Sequence, residues 1–254
     1  MIKNCIIHRI KDGLDLESRQ EKRVSEIRLR DCLEAAAKTK KRRLEALSKN
    51  AKNESFSVEG RNGGIHRFSV SCEFKTRKLT ASGPAPFVPV KFPVWLRPKD
   101  RSAVTFDAGR RLSEVGMNLI SCGLGGDPSL IEGVKVNNDD FKGLREWVRS
   151  SGDGKIRQVN LKNVTFDDVL YKQIQLTADD LEESGIFPEL LESATVVSSM
   201  SLVTPKLTST GRGITCRMNR WGCVSIYTPA LLDVEVSELL SDLVGKTEFI
   251  AGGR

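Results

Sequence analysis

Apolar and polar residues alternate with period two on both sides of Arg61-Asn62-Gly63-Gly64, which predicts a β-hairpin over residues 54–78. A two-residue Asn62-Gly63 loop would set Val58 opposite Arg67 and Phe56 opposite Ser69, mixing the two faces. A three-residue loop closed by a left-handed Gly64 instead sets Val58 against Phe68, Phe56 against Val70, Ser57 against Ser69 and Glu59 against Arg67. This register sorts apolar from polar residues. It predicts a core face of Phe56, Val58, Phe68, Val70, Cys72 and Phe74, with Ser57, Ser69, Ser71, Arg67, Glu73, Lys75 and Arg77 on the other. The same test at Arg220-Trp221-Gly222, within a β-meander over 195–228, pairs Met218 with Val224 and Cys216 with Ile226 around a left-handed Gly222.

Elsewhere the pattern is mixed. Lys3–Ile10 reads as a strand followed by a turn at Asp12-Gly13. From Leu16 to Leu47, apolar residues at mixed three- and four-residue spacings, without Gly or Pro, predict one long helix or two, with charge interrupting the stripe at Lys38–Arg43. Pro84, Pro86, Pro89, Pro93 and Pro98 mark residues 82–99 as an extended edge segment or connector. Asp107 offers an N-cap to a helix carrying Leu112, Val115, Gly116 and Leu119 and ended by Gly123. A strand at 131–136 follows, then a helix from Asn138 or Asp139 with Phe141, Leu144 and Val148 inward. Strands are expected at 156–161 and 171–176, and short helices at Thr177/Asp180 and Phe187-Pro188. A final helix over 234–244 turns Val236, Leu239, Leu240 and Leu243 inward.

The fold class expected is α+β, mainly antiparallel sheet built from hairpins, with a long basic N-terminal helix and several short helices. The organisation expected is a basic helix and hairpin region over 1–81, a Pro-rich connector or edge segment over 82–105 and an α+β region over 106–254, or one compact unit. The first sixteen residues resemble the start of longin domains, a likeness that the following residues do not continue, so neither fold nor function is taken from it.

Composition adds direction. A hydrophobic share of 39% with 29% charged residues describes an ordinary globular chain. No stretch approaches the roughly 18 apolar residues of a membrane span, and Lys11, Asp12 and Asp15 follow Met1–Arg9 where a signal peptide would place an apolar run, so a cytoplasmic protein with nothing removed is expected. The six cysteines are scattered without a CxxC pair, which predicts reduced, mostly buried thiols. Charge is unevenly placed. Residues 1–111 hold 26 Lys and Arg against 13 Asp and Glu, while residues 112–254 hold 14 against 20, so a polyanion would meet the N-terminal half.

Enzyme chemistry finds little purchase. Cys216 and Cys223 fall on opposite strand faces, which argues against zinc. There are two histidines, His8 and His66, and no GxSxG elbow. Cys122-Gly-Leu-Gly-Gly-Asp127 follows a helix where a phosphate loop precedes one, and Ser151-Gly-Asp-Gly-Lys155 lacks P-loop spacing. Glu73-Phe74-Lys75 sets a carboxylate and an amine on one strand face, as a metal-dependent nuclease would want, yet only Glu59 offers a second carboxylate there. No catalytic residue, metal or cofactor is therefore assigned.

The basic residues carry the expectation that remains. Lys38, Lys40, Lys41, Arg42 and Arg43 form a dense run, Arg67, Lys75, Arg77 and Lys78 end a strand with serines on its outward face, and Arg110 and Arg111 follow. Together they predict non-catalytic binding of DNA or RNA phosphates, with the acidic C-terminal half facing a protein partner or a second copy. The alternatives are a structural or adaptor subunit of a larger complex and, third, the metal-dependent nuclease.

Overall fold

The computed structural model describes residues 3–14, 24–25, 28–36, 38–75 and 86–247, with 24, 25, 38 and 39 by backbone alone. Its internal contacts divide the chain into two units, residues 5–133 and residues 1–4 with 134–254.

Residues 5–133 carry an antiparallel sheet with helices on one face. The strands are β1 (Lys3–Ile10), β2 (Val24–Ser25), β3 (Ala51–Asn62), β4 (Ile65–Lys75), β5 (Phe87–Arg97), β6 (Ser102–Phe106) and β7 (Ile131–Gly133). They run in the order β2-β3-β4-β5-β6-β1, with β7 also on β1. The helices are α1 (Cys32–Ala35), α2 (Lys38–Ser48) and α3 (Arg110–Gly125). Even-numbered residues of β4 bury Phe68, Val70 and Cys72 in one core with Cys32 of α1, Leu44 and Leu47 of α2, and Val115, Leu119 and Ile120 of α3. Where α3 crosses the sheet its backbone comes close. A Cβ on Gly116 would lie 2.9 Å from the Phe92 ring, so any side chain there would have to displace that buried ring.

The hairpin face sorting holds, by a different device. Val58 pairs with Phe68, Phe56 with Val70 and Ser57 with Ser69. The loop, however, has two residues, Gly63 and Gly64, both left-handed (φ 57° and 78°), between paired Asn62 and Ile65. A shift between Val58 and Gly60 restores the register, so Arg67 faces Gly60 and Glu59 has no cross-strand partner. Ser69, expected on an open polar face, is buried.

The helical expectation for residues 16–47 holds for α2 and is corrected at residues 24–25 and 36, while residues 16–23, 26, 27 and 37 lie outside the described residues. Val24 and Ser25 pair with Ser57 and Phe56 as a strand, α1 has four residues, and Ala36 is extended (ψ 134°) before α2 begins. Asp107 is likewise no cap; it is left-handed (φ 52°), and the N-cap of α3 is Gly109, two residues on. That helix runs through Gly123 to a left-handed Gly126 (φ 72°).

The Pro-rich stretch contributes β5. Strand β6 covers only Val94–Arg97, so over residues 87–93 β5 has β4 on one side and, among the described residues, no strand on the other. Pro89 and Pro93, four residues apart, set their ring nitrogens toward the same edge, and at the open edge a missing N–H costs no ladder bond.

The second unit is also antiparallel. Its elements are α4 (Asn138–Ser151), β8 (Lys155–Phe166), β9 (Val169–Thr177), α5 (Phe187–Ser193), β10 (Ala194–Val203), β11 (Thr215–Asn219), β12 (Cys223–Ile226) and α6 (Asp233–Gly245). The sheet order is β12-β11-β10-β8-β9, with α4 and α5 against β8 and β10. The meander register is as expected: Cys216 faces Ile226, Met218 faces Val224, and Gly222 is left-handed (φ 68°). Phe141, Leu144 and Val148 of α4, and Val236, Leu239, Leu240 and Leu243 of α6, are all buried. All six cysteines are free thiols. A capping box starts α4: the Asp140 N–H donates to Asn137 Oδ1 at 2.8 Å and the Asn137 N–H to Asp140 Oδ2 at 2.7 Å. Asn137→Ala should cost about 1 kcal/mol, read as a lower thermal midpoint with unchanged far-UV signal.

Candidate nucleic-acid interface

Burial of Leu44 and Leu47 fixes the roll of α2 and leaves Lys41, Arg42 and Arg43 exposed. The N-terminal turn of α3 is fixed from beneath, where buried Ser113 bonds His8 Nε2 at 2.5 Å and Thr105 Oγ1 at 2.7 Å. Arg110 and Arg111 open that helix, whose first turn holds no acid and whose N-cap residue, Gly109, makes no side-chain bond. Arg43, Arg110, Arg111 and Glu114, with Ala46, Leu47 and Asn50, line a groove of about 450 Å³.

Glu114 organises the groove. Both Nε and Nη2 of Arg43 donate to its carboxylate, the former at 3.1 Å, and Arg110 Nε lies 3.3 Å away, one helical turn back. One carboxylate thus holds two guanidiniums in place, Arg111 adds a third positive charge, and the positive end of α3 adds to the field. The lining is net positive.

The other basic residues divide. Lys40 is half-buried and donates its ammonium to the Pro128 carbonyl; burial lowers its pKa, against the pull of Asp127, so it anchors α2 to the turn after α3. Only the backbone of Lys38 is described, and Arg77 and Lys78 lie outside the described residues. Arg67 and Lys75 occupy odd positions of β4 and so face away from α2 and α3. The Arg67 guanidinium lies 5.0 Å from the Trp95 ring centre. The helix and strand clusters therefore do not share a face.

Sequence reasoning missed three members. Glu114 was legible as an i,i+4 partner of Arg110. Lys52 and Lys91 join the odd face of β4, Lys52 across from Glu73 with its ammonium 4.4 Å from the Phe87 ring centre, and Lys91 across from Ser71. Lys91 sits in the stretch read as a connector, and a shifted register between Lys52 and Ser55 hides Lys52 from simple alternation.

No family model matches the chain, and no curated protein matches it. What the geometry can do therefore rests on these side chains alone. His8, Ser113 and Thr105 are at most 2% exposed, so their hydrogen-bonded trio is closed to a substrate. Glu73 accepts a bond from Asn53 Nδ2 at 3.0 Å, and among the described residues no group of three or more His, Cys, Asp or Glu is placed to hold a metal ion. Nor, among those residues, is any helix long and apolar enough to cross a membrane.

Proposed function

We propose that residues 5–133 bind the phosphate backbone of nucleic acid, without catalysis, in the groove between α2 and the start of α3. The observation that carries this reading is the convergence of Arg43 with Arg110 and Arg111, more than sixty positions apart in sequence, around one concave surface. Guanidiniums present a planar fork to phosphate oxygens, and Arg43 and Arg110 are already oriented by Glu114. Exposed Lys41 and Arg42 extend the charge along α2. The groove lining offers no aromatic ring for base stacking, which favours backbone contact over base readout.

The test is a titration of labelled duplex DNA and RNA at several salt concentrations, with the unmodified chain beside Glu114→Gln. Phosphate binding predicts steep salt dependence. It also predicts tighter binding by Glu114→Gln, because that change removes a negative charge from the groove lining. No binding to either nucleic acid at low salt would reject the proposal and leave the reading of an adaptor whose basic surface meets an acidic protein.

A further inference from the structure

We propose that β9 is a self-association edge, along which a second copy of this chain pairs antiparallel through its own β9. The strand is last in its sheet: β8 occupies one side, and among the described residues no strand occupies the other. Its ladder with β8 keeps one register from Gln158 against Thr177 to Phe166 against Val169, interrupted only at Lys172, which faces the left-handed Asn163 (φ 49°) of β8. Asp167 and Asp168, both left-handed (φ 48° and 60°), close the hairpin in the turn geometry that matches strand twist, so β9 is held extended. It holds no proline and one charged residue, Lys172. Proline, bulges and several charges are the usual protections of a free edge, and here they are missing. Val169, Leu170 and Tyr171 are 50%, 63% and 41% exposed, an apolar run at the start of that edge.

The strand's own sequence identifies the occupant. Two identical antiparallel strands related by a two-fold axis must set one residue opposite its own copy. With Gln173 on the axis, all nine residues pair: Val169 meets Thr177, Leu170 meets Leu176, Tyr171 meets Gln175, and Lys172 meets Ile174. An axis at Lys172 opposes two ammonium groups, one at Leu170 or Tyr171 uses only the start of the strand, and one at Ile174 leaves Val169 and Leu170 beyond it. Self-pairing on Gln173 thus satisfies the open edge along its full length and opposes no like charges. At about 3.4 Å per residue the paired strands run about 30 Å side by side. The inference gives a specific surface to the self-association expected of the acidic half, and it stands apart from the nucleic-acid reading.

Sedimentation velocity of the full chain across micromolar to millimolar concentrations tests it. A reversible monomer–dimer equilibrium is expected, and Leu170→Lys, at a side chain already largely in solvent, should weaken it about tenfold or more. Gln173→Cys should form a covalent dimer under mild oxidation that the parent, treated alike, does not. A monomer at every concentration overturns the proposal. So does a dimer that Leu170→Lys leaves unchanged and Gln173→Cys fails to cross-link.

Discussion

Replacing Arg43, Arg110 and Arg111 together by Gln is expected to weaken binding to duplex DNA by roughly 10²–10³-fold at about 0.1 M salt, while the fold survives. The magnitude follows from counterion release. Each neutralised phosphate contributes a slope of about −0.9 in log affinity against log salt, so one contact contributes roughly eightfold at 0.1 M relative to 1 M, and three contribute several hundredfold. The salt slope itself should become shallower by up to about 2.7. Survival of the fold follows from exposure: Arg43 and Arg110 are about half exposed, their pairs with Glu114 are surface pairs worth about 0–1 kcal/mol, and Gln keeps helix propensity. Sequence preference should hardly change, because phosphate contacts position a protein without reading bases. Replacing Arg67, Lys75 and Lys91 by Gln separates the two basic surfaces. A loss confined to that set would move the interface to the outer sheet face, and equal binding by both triple variants would remove the nucleic-acid reading altogether.

The β3–β4 hairpin, the meander and the late helices were legible because one physical rule governed each of them, whereas β2 and β6 were not read as strands. In β3 and β4 the buried face demands period two, and any register that mixed Arg67 with Val58 would bury charge against apolar surface. The pairing of Val58 with Phe68 was therefore readable, although the loop that delivers it was not. Alternation cannot tell a three-residue loop from a two-residue loop plus a bulge, since both shift the register by the same amount; Gly60, with φ 148°, was the one local sign of the second. In α4 the cap, the apolar stripe and the left-handed Gly152 agree, whereas in α6 the apolar stripe alone located the helix, which starts after Leu232 and runs through Gly245 to Lys246. Residues 24–36 show the opposite case. Composition there favours helix, but the sheet edge at β3 recruits Val24 and Ser25, a tertiary contact that propensity does not contain. The candidate groove was half legible for the same reason. Arg43, Arg110 and Arg111 could each be singled out by charge, whereas their meeting around Glu114 depends on how α2 and α3 pack, and so does the separation of Arg67 and Lys75 from them.

Below neutral pH, His8 is expected to cost the protein stability. Its imidazole is 2% exposed and its pKa is pushed down to about 3, first by burial, then by the positive charges of Arg110 and Lys40. In the unfolded chain the same ring titrates near 6.5. Between these values the unfolded state binds a proton that the folded state refuses, so the stabilisation is complete above about pH 6.5 and is lost as pH falls toward 3. The slope approaches about 1.4 kcal/mol per pH unit, so a fall from pH 6.5 to 5 should remove about 2 kcal/mol before carboxylates begin to contribute. Protonation inside the fold would be costly. Nε2 of His8 lies 2.5 Å from Ser113 Oγ, which also bonds Thr105, and the charges that reach the ring, those of Arg110 and Lys40, are both positive. His8→Gln keeps a hydrogen-bonding side chain beside Ser113 and does not titrate. Urea unfolding of both proteins at pH 7.5 and pH 5 isolates the effect, since every other titrating group is common to the pair. The parent should lose about 2 kcal/mol more than the variant over that interval. Equal losses would show that His8 is not the group that couples folding to acid.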